Sequence, residues 1–195
     1  MKTAKLVALA LIGVSQAHAD EIEEIMDAAS DGIVIVSNVA GSVEVRGWSR
    51  NQVEVTGELG SRVEELIFER DGDEILIKVK VPRHSNGGIS SDLSISIPSA
   101  SSLQINTVSA DIDVSDVEGE QELESVSGDI VTEAHGSDIE LGAVSGDIEV
   151  TGSAQSIRSR MNTVSGDVDA DNLAGEIAAE SVSGDVSTMN SSFSR

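Results

Sequence analysis

Five aspartates recur at nearly regular intervals in the second half of the chain: Asp111, Asp129, Asp147, Asp167 and Asp185. Each closes a copy of one short string, as in Val108-Ser109-Ala110-Asp111, Val126-Ser127-Gly128-Asp129 and Val144-Ser145-Gly146-Asp147. The later copies are Val164-Ser165-Gly166-Asp167 and Val182-Ser183-Gly184-Asp185, and the five starts lie 18, 18, 20 and 18 residues apart. If the units carrying them stack in register, the carboxylates form a column with about 4.8 Å between neighbours. At that spacing two unit charges repel by roughly 0.9 kcal/mol in water and about 3.5 kcal/mol at an effective dielectric of 20. The column must therefore be solvated, hydrogen-bonded or ion-bound. An aspartate after glycine at a bend accepts backbone or serine hydrogen bonds and faces water. The alternative is a row of weak Ca²⁺ sites built from Asp, Ser and carbonyl oxygens, since this cation takes roughly six to eight oxygen ligands. The nine-residue G-G-x-G-x-D calcium repeat is absent, which favours the turn chemistry. No other cofactor is indicated.

A second acidic series, Asp116, Glu118, Glu120, Glu122 and Glu124, alternates with other residues. On a strand these side chains line one face, either as solvated surface or, for Glu118, Glu120, Glu122 and Glu124, as a docking strip for a basic partner. Arg158 and Arg160 fall in the single 20-residue interval, where two extra residues imply a bulge or longer loop, and are expected to neutralise nearby carboxylates. Trp48 is expected to anchor packing at the end of a coil rather than to stack on a sugar. Catalysis has little to work with. His84 and His135 are the histidines beyond the N-terminal segment, Cys and Tyr are missing, and G-x-S-x-G, H-E-x-x-H and P-loop strings do not occur. Carboxylates are so abundant that spacing singles out no glycosidase pair. The reading is non-enzymatic, with a β-helix carbohydrate-active enzyme as the third alternative.

The elements that must position these residues are strands. After each copy come Ile112, Ile130, Ile148, Val168 or Val186, then, two positions on, Val114, Thr132, Val150, Ala170 or Thr188. This period of two marks a strand with one buried face. Gly119, Gly136, Gly152 and Gly175 supply a second turn in most units. A strand-turn unit of roughly 18 residues cannot bury its apolar face alone, so successive units stack on a shared core. Residues 103–195 thus read as an all-β, parallel β-helix-like solenoid, with hairpins in a twisted antiparallel sheet as the alternative. The valines of the repeated string are expected to form a buried aliphatic ladder.

Residues 32–102 show the same alternation without the string and read as an irregular β region. Its strand candidates are residues 33–36, 42–45, 52–56, 74–81 and 93–97, with Pro82 and Pro98 closing strands. Residues 20–31 form a leader, in which Ile22, Ile25 and Met26 would share one side of a short amphipathic helix if the segment does not fray. Residues 1–19 read as an export signal. Lys2 and Lys5 precede an apolar stretch, and Ala17-His18-Ala19 offers a cleavage site before Asp20. The stretch is shorter than the roughly 20 residues that span a bilayer, so no membrane anchor is expected after cleavage.

The full chain carries a formal charge of −23, and removing the two lysines makes it more negative. Such a chain disfavours nucleic acid and anionic membranes and favours cations and basic partners. The segment Gly41 to Trp48 (GSVEVRGW), the strand end Ile97-Pro98 and the V-S-G-D-I repeats together resemble the bacterial putative-adhesin family of β-strand-repeat proteins, catalogued as a domain of unknown function. The resemblance spans roughly residues 32–190. It implies an exported or envelope-associated, β-solenoid-like protein without known catalytic residues, and the export signal makes the expected location periplasmic or secreted. The expected partner is an envelope or cell-surface component, a cationic peptide or another copy of the chain. The last unit looks uncapped, and longer repeat arrays are expected from the resemblance.

Overall fold

Alternation of branched and polar residues runs through almost the whole chain, and it sets strand after strand with one face buried. The computed structural model describes residues 6–7, 20–84, 87–153 and 155–193, with no helix among them. The strands are β1 (Leu6–Val7), β2 (Asp20–Asp27), β3 (Ile33–Trp48), β4 (Gln52–Leu59), β5 (Glu65–Asp71), β6 (Glu74–Lys80), β7 (Ser91–Pro98) and β8 (Ser102–Ser115). They continue as β9 (Gln121–Ser125), β10 (Ile130–Ala134), β11 (Ile139–Ala143), β12 (Ile148–Gly152), β13 (Ser156–Thr163), β14 (Val168–Asp171), β15 (Ala174–Ser181), β16 (Val186–Met189) and β17 (Ser192–Phe193).

Hydrogen-bonded pairings resolve these strands into two layers. The first runs β2, β4, β7, the second half of β3, the second half of β8, then β10, β12, β14 and β16. The second runs β1, β5, β6, the first half of β3, the first half of β8, then β9, β11, β13, β15 and β17. Long strands β3 and β8 pass from one layer to the other, and after them each crossing is a separate corner. From β8 onward every pairing is parallel, so the chain winds as a β-solenoid. Antiparallel pairs occur only at β1–β5, β2–β4, β4–β7 and β5–β6 among the described residues.

Register places like residues in columns. Ile130 lies between Ile112 and Ile148, and Ile148 lies beside Val168. Leu123 lies between Ile105 and Leu141. Inward side chains from both layers form one core, including Val36, Val45, Ile77, Ile95, Ile105, Leu123, Ile130, Leu141 and Val168. The two extra residues of the long interval fall between Gly152, which pairs with Ala134, and Ser159, which pairs with Ile139.

Three expectations need correction. The valines of the repeated string are not buried: Val108, Val126, Val144, Val164 and Val182 are all exposed, Val144 at 46%. The reason is phase. Ser125 points inward at the end of β9, so alternation turns Val126 outward as the chain enters the corner. The buried ladder is instead the residue after each of the first four aspartates, Ile112, Ile130, Ile148 and Val168, while Val186 after Asp185 is exposed. The leader segment 20–27 is strand β2 rather than a helix, pairing antiparallel with β4. Ile22 and Met26 pack on the core and Ile25 faces out, because a period of two separates residues that a helical period would unite. The third correction joins the candidates at 33–36 and 42–45 into the single strand β3, and adds β5, which carried no expectation. The export-signal reading concerns residues 1–19, of which all but Leu6–Val7 lie outside the described residues.

Candidate interaction surface

The repeated string forms the corner between a second-layer strand and the first-layer strand that follows it. Stacking at this corner is close. The backbone N–H groups of Ser127, Ser145, Ser165 and Ser183 donate to the carbonyl oxygens of Val108, Val126, Val144 and Val164 in the preceding coil at 2.8–2.9 Å. A Cβ added at Gly128, Gly146, Gly166 or Gly184 would sit 2.0–2.1 Å from the carbonyl oxygen of residue 110, 128, 146 or 166. Glycine is therefore a packing requirement of the stacked corner. Where the residue before the valine is Thr or Ser, its side chain ties down the corner, within the same bend for Thr107 and Ser125 and onto the preceding coil for Thr163. Thr107 and Thr163 donate their hydroxyls to the carbonyls of Ala110 and Gly146, and Ser125 Oγ accepts from the Gly128 N–H.

The aspartate column is a hydrogen-bonded ladder. Oδ1 of Asp111 accepts from the Asp129 N–H at 3.1 Å, and Asp129 accepts likewise from Asp147 at 2.9 Å. Asp147 accepts from Asp167, and Asp167 from Asp185, both at 2.8 Å. All five aspartates are exposed. A carboxylate that accepts from an amide of the next coil gains a charge-assisted hydrogen bond, and solvent screens its like-charged neighbours. This arrangement supplies the reason for Asp at the first four of these positions.

The acidic series beyond β8 is split by the fold. Asp116 is the turn residue, with φ +57°, and Glu118 and Glu120 precede the strand. Glu122 and Glu124 face outward on β9, with inward Gln121, Leu123 and Ser125 between them. Glu120 and Glu122 share an open groove with Asp138, Glu140, Arg158 and Arg160, while Glu124 lines a second groove beside Val126 and Val144. The arginines neutralise carboxylates, as expected. Arg158 bridges Asp138 at 3.0 Å and Glu176 at 3.6 Å, and Arg160 pairs with Glu140 at 3.4 Å.

The outer face of the first layer carries a column that sequence reading did not assemble. Glu44 pairs in register with Asp113, Asp113 with Val131, Val131 with Glu149, and Glu149 with Asp169. These side chains are exposed and no ion pair to them occurs among the described residues. The signal was present as the outward position one residue after each buried one, but it emerges only once the register aligns the strands. Trp48 ends β3, donating Nε1–H to the Gln52 carbonyl at 2.8 Å, with the Arg50 guanidinium 4.8 Å over its ring. It thus pins the β3–β4 turn.

Taken together, the fold and its surface define an all-β, β-solenoid-like protein whose outward residues repeat from coil to coil. The chain belongs to the Toastrack DUF4097 family, whose model matches residues 31–193. Similar solved structures include one described as a putative adhesin from Bacteroides fragilis, at 10% identity over 93% of this chain and 99% of the other, with a TM-score of 0.47. Another, a putative cell adhesion protein from Clostridium sporogenes, is 8% identical over 90% and 100% of the two chains, with a TM-score of 0.38. A putative adhesin from Parabacteroides distasonis is 13% identical over 91% and 98%, with a TM-score of 0.32. No curated protein matches the chain.

Proposed function

We propose that this chain is an exported, non-enzymatic interaction protein of the envelope or cell surface, adhesin-like, that binds basic partners through its acidic outer faces. The observation that supports this reading most is the unpaired column Glu44, Asp113, Glu149 and Asp169, set beside the exposed aspartate ladder on one rigid stack. Carboxylates held on one face without ion-pair partners among the described residues create a field that attracts cationic segments. Glu118, Glu120, Glu122 and Glu124, divided between a turn and two grooves, are a second part of the proposed docking surface, though Arg158 and Arg160 temper the charge of the groove that Glu120 and Glu122 line.

Binding of a labelled oligolysine peptide at about 0.1 M and 1 M salt tests this, because the screening length falls from about 10 Å to 3 Å between them. The expected result is affinity at low salt that fades at high salt. It should weaken when Asp113, Glu149 and Asp169 become amides, and less when Glu118, Glu120, Glu122 and Glu124 become Gln. Equal binding by wild type and both variants would overturn the docking surface. Export is tested separately by intact mass, with a mature form beginning at Asp20 expected.

A second reading, weak Ca²⁺ sites along Asp111, Asp129, Asp147, Asp167 and Asp185, is favoured by the ladder's use of Oδ1 alone on the first four. It requires that millimolar calcium raise the melting temperature, and that Asp129→Asn with Asp147→Asn abolish the rise.

A further inference from the structure

At the opposite corner of the solenoid, away from the aspartate ladder, the fold gathers Asp116, Glu133 and His135. We infer that these three side chains form a transition-metal site, best suited to Zn²⁺. One ligand atom from each lies within 4.8 Å of the other two. Asp116 comes from the turn after β8, Glu133 from the outer face of β10, and His135 from the turn that follows it.

The histidine points to the ligand class. Its Nε2 is shielded from solvent and makes no hydrogen bond, although Glu133 Oε2 is 3.5 Å away. A shielded ring nitrogen left without a hydrogen bond forfeits the hydration it has in the unfolded chain. A metal ion between the imidazole and the carboxylates would satisfy all three groups at once. Imidazole with two carboxylates is a borderline donor set that suits Zn²⁺, whereas Ca²⁺ and Mg²⁺ take oxygen alone.

The supporting groups are already in place. Arg46 Nε donates to Asp116 Oδ2 at 3.2 Å, which orients that carboxylate. The Asp116 N–H points at Glu133 Oε2 at 3.4 Å, a consequence of the left-handed backbone at Asp116. Gln121 Nε2 donates to the Glu133 carbonyl at 2.9 Å, and Ser153 Oγ to the His135 carbonyl at 2.7 Å, so the ligand-bearing backbone is held on both sides. Zinc bonds of about 2.0–2.2 Å bring ligand atoms closer together than this, a change that rotation of the half-exposed Asp116 and Glu133 side chains supplies. The set is particular to this coil, since Glu133 pairs in register with Thr151 in the next.

The test is calorimetric titration of the full chain with ZnCl₂ in excess CaCl₂, alongside His135→Ala, Glu133→Gln and His84→Ala variants. One zinc per chain is expected for wild type and for His84→Ala. Losing an outer-shell partner costs about 10–100-fold in affinity, so His135→Ala should weaken binding by at least the upper end of that range. Glu133→Gln should weaken it as well. Zinc should raise the melting temperature of wild type and not that of His135→Ala, which circular dichroism should show to be folded. Equal zinc affinity in wild type and His135→Ala, or no saturable binding in calcium, would overturn the site.

Discussion

Gly146→Ala probes the stacked corner directly, because Gly142, four residues earlier on the same coil, provides a matched control. A Cβ at residue 146 would lie 2.1 Å from the Gly128 carbonyl oxygen, against 3.4 Å for ordinary contact, so the corner must open by about 1.3 Å. Hydrogen bonds of 2.9 Å flank it, from Ser145 N to Val126 O and from Asp147 N to Asp129 Oδ1, and neither survives such a shift. Losing two or three bonds at about 1 kcal/mol each, with some loss of packing, gives a cost of ~3–4 kcal/mol. For a chain of this size that corresponds to a drop of roughly 6–16 °C in melting temperature. At Gly142 the nearest atom to an added Cβ is Glu124 Cγ at 3.9 Å, and the backbone there is ordinary strand. Gly142→Ala should therefore be neutral or stabilise by about 0.4–1 kcal/mol through the unfolded chain. Thermal unfolding followed by far-ultraviolet circular dichroism measures both. Equal melting temperatures for the two variants would refute the claim that backbone contact at the corner requires glycine.

Val144→Asp should cost no more than about 1 kcal/mol, since the side chain is 46% exposed, whereas Ile148→Asp, at a position 1% exposed, should cost several kcal/mol or prevent folding. Urea titration separates them. Asp147→Asn keeps an acceptor for the Asp167 N–H and removes a charge between two others, so its stability should match or exceed wild type at low salt, an advantage that shrinks in 1 M salt. Asp147→Ala, which leaves that amide to solvent, should lose about 1 kcal/mol. Glu24 sits between the inward-packing Ile22 and Met26, and burial raises its pKa above the ordinary carboxylate value. A raised folded pKa means that stability falls as pH climbs through the interval above the unfolded value. Glu24→Gln should accordingly stabilise at neutral pH, with the gain disappearing as acid protonates the wild-type residue, a comparison made by melting both proteins across that range.

Much of the fold was legible in the residues because strand alternation is local. Ile148, Val150 and their counterparts announce a buried face within a few positions, and the recurrence of V-S-G-D at a near-constant interval announces stacking, since identical units bury identical faces. What no local pattern contains is the phase at which a strand ends and a corner begins. That phase turned Val144 outward and left burial to the residue after the aspartate, and a corner of two stacked backbones, not a turn type, is what demands Gly146. Long-range pairing decided the rest. Only when register sets Glu44 beside Asp113 and Glu149 beside Asp169 do scattered carboxylates become a column. Only when β10 stacks on β8 does Asp116 meet Glu133 and His135. A sequence specifies which side of its own strand a residue occupies, but the neighbour it meets across a hydrogen-bonded ladder belongs to another coil, and the winding of the chain chooses it.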